Sequence, residues 1–432
     1  MFTSRKALAT LPLIIALTSV SLAQGSKFNQ CGDLKLQGDA TGTMNSSPAL
    51  NSALEELAKC GGGTLEIGHG KFKLETTVSK NFFDRASKIT IRGQGSNSQI
   101  IFATGPDADG LVLQNLEDLT IQGITFVGSP NLLSDGSPNP AAGSDVFRAL
   151  HLQSVLRARI ERNMFYGIAA PAPGAAVIKA VNCYLTVDHN QFLGSAASQS
   201  GVGYGGVILA DNHIGVSIVN NSFIDYGVLN GVYYSKTPLV WSTAWVVLMN
   251  PSSAEAENAR SNNPVEIAYN QFDEGAMYAI INSPESGATI TRHMKLAYNT
   301  MNVGIAGGYY LNRIKHLEIK GGWAGYRSLS GELTEVNAII LKNVEFATIR
   351  NFETDPTKSA TGLSVDAGTA MLRIVDSKFK TIVNDAKAWR IEDGALISSS
   401  PPPPPGESKG LTSGLQNAGS NPEPRGVGLR QQ

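Results

Sequence analysis

Asp211-Asn212-His213 sets a carboxylate and an imidazole two residues apart, a pairing suited to taking up and passing on a proton. The stretch that follows, at about 226–263, carries Tyr233, Tyr234, Trp241 and Trp245, then Glu255, Glu257 and Arg260. Arg292-His293 and Arg313-Ile314-Lys315 come next. These side chains move protons, fix anions, and offer flat apolar rings with a polar edge. Asp211, His213, Arg292 and His293 are the catalytic candidates. Tyr233, Tyr234, Trp241, Trp245, Arg260, Arg313 and Lys315 are the candidates for substrate contact. The other histidines, His69, His151, His189 and His316, lack metal-ligand spacing and read as structural. No Ser-His-Asp arrangement, phosphate loop or cysteine zinc motif is present.

Such scattered residues work together only if the fold stacks distant parts of the chain. A recurring phrase indicates that it does: an apolar residue, two residues, Asn, one residue, Phe. It runs Ile160–Phe165, Val187–Phe192, Ile218–Phe223 and Ile267–Phe272, and closes with Met in Leu296–Met301. Looser copies are Ile121–Phe126 and Ile374–Phe379. Successive Asn positions (163, 190, 221, 270, 299) lie 27, 31, 49 and 29 residues apart. A period near 30 is that of a solenoid. Upstream of each phrase is a second short apolar segment, such as Gly110–Gln114, Ala149–Gln153 or Ala338–Lys342, bounded by Gly, Asn or Asp. Three short strands per turn predict an all-β fold, a single-stranded right-handed parallel β-helix of ten or so coils, about 50 Å long. The repeated Asn suits a left-handed turn and an amide ladder, and Phe165, Phe192, Phe223 and Phe272 suit an internal stack continued by Met301 and Trp323. One outward column reads Gln114, Gln153, Ala180, Asp211, Asn312, Lys342. The 49-residue gap reads as an insertion at 226–263. On this layout Asp211, His213, the insertion, Arg292 and His293 share about three coils, roughly 10–15 Å of surface. Arg313 stands about three coils from Asp211.

Composition bounds the rest. Arg5-Lys6, an apolar run from Ala7 to Val20 and Ser21-Leu22-Ala23 make residues 1–23 a secretory signal peptide cut near Ala23. No stretch is long enough to span a membrane. In an exported chain Cys31 and Cys60, flanking a helical segment at Pro48–Lys59, are expected to bridge, leaving Cys183 a buried thiol. A net charge of −1 with 16% charged residues excludes the basic footprint of a nucleic-acid binder. Residues 24–95 form the cap and first coils and 96–397 the remaining coils. The segment at 398–432, with Pro401–Pro405 and few apolar residues, is expected to be disordered. A monomer is expected.

Gly38-Asp39-Ala-Thr-Gly-Thr43, Ser47-Pro-Ala-Leu50, Gly61-Gly-Gly63-Thr-Leu-Glu-Ile67, Gly70-Lys-Phe72 and Lys88-Ile-Thr-Ile-Arg-Gly-Gln-Gly95 resemble the opening module of the pectate lyase superfamily, in its polygalacturonase-related branch. The resemblance implies the pectin lyase-like β-helix closed by a short N-terminal helix, and an extracellular polysaccharide as partner. The branch's hydrolases use Asn-Thr-Asp, an Asp pair, Gly-His-Gly and Arg-Ile-Lys. Here only Gly68-His69-Gly70 and Arg313-Ile314-Lys315 stand, and without a carboxylate pair hydrolysis is disfavoured. The superfamily's lyases imply β-elimination on an acidic polysaccharide such as pectate, with groups on the first sheet and the turn after it. By that resemblance Asp211, Glu255 and Glu257 are candidate Ca²⁺ ligands. Non-catalytic binding proteins, hydrolases and epimerases on the same fold are the alternatives.

Overall fold

The structure, a computed structural model, describes residues 31–82, 88–128, 146–170, 174–194, 196–197, 206–224, 228–229, 232–233, 242–249, 264–273, 276–282, 290–302, 307–325, 336–355 and 360–392. The signal-peptide and tail segments lie outside these residues. Within them, 31 strands join in one hydrogen-bonded network of parallel pairings, each strand bonded to those one coil before and after. The chain therefore winds as a right-handed parallel β-helix, the hand that parallel crossovers adopt.

Three ladders run along the rod. The second-sheet ladder keeps strict register through Leu65, Ile91, Ile121, Ile160, Val187, Ile218, Ile267, Leu296, Ile319, Ile349, Ile374 and Ile391. Alternation along each strand sends these residues inward and their neighbours outward, so a one-residue slip would expose the whole set. The third sheet carries the aromatic stack. Phe126, Phe165, Phe192, Phe223 and Phe272 lie ring on ring with centroids 4.7–5.0 Å apart, all fully buried. Met301 continues it, paired with Phe272. Trp323 does not: it pairs with Thr300, and Ala324 takes the inward place opposite Met301.

The repeated Asn residues are hydrogen-bonding groups rather than turn formers. The left-handed residue is the one before each of them, with φ between 53° and 58° at Arg162, His189, Asn220, Tyr269 and Tyr298. Each ladder Asn is 1–3% exposed. The Oδ1 of Asn190, Asn221, Asn270 and Asn299 each accepts from the backbone N–H of the Asn one coil earlier, at 2.8–3.0 Å, and that of Asn163 accepts from Ile124 N–H at 3.0 Å. The bent backbone at these turns leaves donors and carbonyls without strand partners, and the side-chain amide satisfies them.

At the amino end, the helix Ser47–Cys60 has Pro near its start and ends at Gly61 in the left-handed conformation (φ 79°) that an L side chain resists. Leu50, Leu54 and Leu57 fall on one face and are buried in the core. Each contributes about 1.5–3 kcal/mol. The helix covers apolar residues and strand edges that the first coil would otherwise expose. Cys31 and Cys60 form a disulfide with Cα atoms 5.3 Å apart. Cys183 is a buried free thiol. Among the described residues no helix is long and apolar enough to cross a membrane.

The stretch read as an insertion holds a regular element. Ser242–Met249 is a first-sheet strand paired on both sides, with Gly206–Asp211 and with Ala276–Asn282. The 49-residue spacing is thus one coil with long connections around that strand. Spacing between phrases hid it because the phrase marks only the second and third sheets.

Candidate functional site

The outer face of the first sheet has two unlike halves. Beginning with Leu209, its outward column continues as Val247, Ile281, Tyr310 and Ile340, apolar residues no more than 7% exposed that form a cluster separate from the core. Earlier coils carry Asp109, Gln114, Arg148, His151, Gln153, Lys179 and Asp211 on the same face. The polar half is the chemically equipped one.

Asp211 ends the strand Gly206–Asp211, and its Oδ2 is 3.5 Å from Lys179 Nζ. Its column reads Gln114, Gln153, Val181, Asp211, Met249, so Val181 and not Ala180 stands beside Asp211. The turn bends at Asn212 (φ 47°), whose amide donates to Asn182 Oδ1 at 2.5 Å, and places His213 half-buried at the edge between the first and second sheets. Gln114 Nε2 donates to Gln153 Oε1 at 2.9 Å.

The tightest charged group was not legible from the sequence. His151 Nδ1 lies 2.8 Å from Asp109 Oδ2. Arg148 NH1 is 3.4 Å from that same oxygen and 3.1 Å from Nδ1. Lys179 pairs with His151 in the next coil. All four side chains are mostly covered, between 13% and 19% exposed. Asp109 Oδ1 and Arg148 Nε are buried without a hydrogen-bond partner among the described residues. The register between the strands Gly105–Gln114 and Val146–Gln153 shifts between Gly105 and Asp109, which re-aims Asp109 toward His151. Asp109 can only accept and Arg148 can only donate, so the two contacts call for opposite tautomers, and the shorter one, to the carboxylate, favours a proton on Nδ1.

Several sequence candidates lie elsewhere. Trp245 is fully buried, tilted against Phe223 at 5.6 Å, and its Nε1 donates to Asp273 O at 2.9 Å. It belongs to the core and offers no ring to a substrate. Val216, Val265 and Met294 share one row, so Arg292 and His293 stand two coils from the Asp211–His213 turn. That is about 10 Å, beyond proton-transfer reach. His293 is exposed on the second sheet and stacks on His316 at 5.1 Å, which stacks on Phe346 at 5.2 Å. These rings border a 410 Å³ groove with Glu266, Lys295 and Glu318. Arg313 occupies a left-handed turn position (φ 56°), and Lys315 Nζ lies 3.9 Å from Glu345 Oε2. Tyr233 has its backbone in the short strand Val232–Tyr233. Tyr234, Trp241, Glu255, Glu257 and Arg260 lie outside the described residues.

The described residues do not make a Ca²⁺ site. Of the three candidate ligands only Asp211 is described, its near partner is the cation Lys179, and no group of three His, Cys, Asp or Glu suited to a metal occurs among the described residues. Cys183 is no nucleophile: burial pushes its thiol up to about 11.

No family model matches the chain, and no curated protein matches it. Among solved structures, it is similar to the Streptococcus pneumoniae surface protein and adhesin PfbA at 13% identity, over 85% of this chain and 98% of that one, with a TM-score of 0.45. It is also similar to an exopolygalacturonase from Thermotoga maritima (10% identity, 84% and 91% of the chains, TM-score 0.47). A third is DFA-IIIase from Arthrobacter chlorophenolicus A6 (12% identity, 81% and 94%, TM-score 0.48). The assignment as a parallel β-helix protein rests on the strand pairing itself.

Proposed function

We propose that this is a secreted protein that cleaves an acidic polysaccharide, a polyuronate such as pectate, by β-elimination on the polar half of the first sheet's outer face. The carrying observation is the succession of Arg148, His151, Gln153, Lys179 and Asp211 over three adjacent coils on the outward side of the first sheet. Side chains repeating at the inter-strand spacing of about 4.8 Å suit a chain lying along the rod. Amides answer hydroxyls, cations answer uronate carboxylates, and an imidazole answers the acidic carbon-bound proton beside a carboxylate. Hydrolysis fits less well, because Asp109 and Asp211 are each held by cations rather than facing one another across a gap. Export is supported by the disulfide Cys31–Cys60 and the N-terminal apolar segment.

A second reading, binding without turnover, is favoured by one observation: the column that holds His151 and Lys179 turns apolar from Leu209 onward, which shortens the equipped surface. Purified secreted protein incubated with a panel of polyuronates separates the two. Elimination leaves an ultraviolet-absorbing unsaturated end, whereas binding alone retards the protein in a polysaccharide-containing gel with no absorbance change. Neither response on any polyuronate would overturn both readings.

A further inference from the structure

We infer that His151 is the base of this site, oriented by Asp109 and Arg148, and that Lys179 is the cation that meets the substrate carboxylate. The inference rests on the β-elimination reading and deepens it. Asp109 Oδ2, 2.8 Å from Nδ1, fixes the tautomer that leaves Nε2 able to accept a proton. Arg148 crosses that contact from the same strand as His151 and holds the carboxylate in place. Lys179 stands one coil on, opposite His151, so a sugar ring spanning the two strands presents its carboxylate to Lys179 and the adjacent carbon-bound proton to His151.

The step balances without an oxidant or reductant. His151 Nε2 takes the proton from the carbon bearing the carboxylate. That electron pair becomes the new carbon–carbon double bond, and the bond from the neighbouring carbon to the glycosidic oxygen breaks. The departing oxygen takes a proton from the imidazolium, which returns the base to its starting state. Lys179 stabilises the charge that gathers on the carboxylate during proton removal. Asp211, 3.5 Å from Lys179 Nζ, positions that ammonium. His151 and Lys179 are therefore the catalytic residues, and Asp109, Arg148 and Asp211 position them.

The charged groups facing His151 are Asp109 on the preceding coil, Arg148 on its own strand and Lys179 on the next, with Asp211 behind Lys179. Removing the Asp109 charge takes away an anion that favours the imidazolium, so the imidazole loses its proton at lower pH. The test measures unsaturated-end formation by the intact protein on the polyuronate that wild type cleaves. His151→Gln should lose about 100-fold or more in kcat with retention in a polyuronate gel unchanged. Asp109→Asn should lower kcat and move the acidic limb of the kcat/KM profile to lower pH, which a purely structural effect would not do. His316→Gln, on the other sheet, should leave turnover unchanged. Wild-type turnover that survives His151→Gln within about threefold would overturn the inference while leaving the function standing. Should His151→Gln fail to fold, an unmoved acidic limb in Asp109→Asn would overturn it equally. Absence of unsaturated ends with wild type would overturn both the reading and the inference.

Discussion

Asn220 and Asn221 are neighbours with the same side chain and opposite jobs, so truncating each in turn tests how the turns are held. Asn221 is 1% exposed. Its Oδ1 accepts from Asn190 N at 2.8 Å and Asn190 Nδ2 at 3.1 Å. Its Nδ2 donates to Val187 O at 2.9 Å and Val219 O at 2.8 Å. Asn221→Ala removes all four bonds and leaves the buried Asn190 N–H without its acceptor. Each buried group so stranded costs about 1–3 kcal/mol, and with the lost bonds the total is about 3–5 kcal/mol. Asn220 has φ 58° and an exposed side chain whose amide donates to Asp188 Oδ1 at 3.2 Å. Asn220→Ala loses that exposed hydrogen bond and the tolerance of Asn for the left-handed region, about 1–2 kcal/mol together, and Asn220→Gly, which keeps the backbone free, should cost less. Denaturant midpoints should place both Asn220→Gly and Asn220→Ala above Asn221→Ala. Equal midpoints, or Asn220→Ala as the weakest of the three, would refute the division of labour between turn and ladder.

Phe192 is fully buried between Phe165 and Phe223, with centroids 4.8 and 4.7 Å away, so Phe192→Ala should cost about 3–5 kcal/mol in thermal or denaturant melts. The disulfide Cys31–Cys60 closes 29 residues, and its removal by Cys31→Ser with Cys60→Ser should cost roughly 3 kcal/mol and first loosen protection of the helix Ser47–Cys60 in hydrogen exchange. The backbone N–H of Met44, then the hydroxyl and N–H of Thr41 and the hydroxyl of Thr43, hold the Asp39 carboxyl well below the usual carboxylate range. A depressed folded value means its stabilisation is complete above the ordinary carboxylate pKa and declines below it, vanishing once pH passes the folded value. The stability gap between wild type and Asp39→Asn should follow that course on an acid titration, and a gap insensitive to acid would contradict it. If Lys179 meets the carboxylate as proposed, turnover should survive chelation of divalent cations, and its loss on chelation would contradict that role.

Most of the scaffold was legible because it repeats. The phrase ending in Asn and Phe fixes two of the three ladders, and the left-handed residue before each Asn is the one feature of those turns that spacing misassigned. Asn permits positive φ, but Arg162, His189 and Tyr269 do so as well once a buried amide on the next residue anchors the turn. Trp245 misled for a related reason: aromatic residues in an apparent loop look like a binding surface, yet Ser242–Met249 is a strand and Trp245 belongs to the core with Val246 and Leu248. The candidate site was only half legible. Asp211 and His213 share a turn, and their closeness shows in the sequence. Asp109 and His151 are 42 residues apart and meet only because two coils stack with a register shift between Gly105 and Asp109. Aligning the upstream strands two positions earlier, through Val112, His151 and Lys179, would have shown the column that holds His151 and Lys179. The bulge that aims Asp109 has no such signature.

The central claim is that the polar half of the first sheet cleaves a polyuronate by elimination. Wild type and Lys179→Met, compared on the same polyuronate by ultraviolet absorbance, test it most directly. Wild type should form unsaturated ends, and Lys179→Met should lose about 100-fold or more at unchanged melting temperature. Unsaturated ends formed at equal rates by both proteins would contradict it.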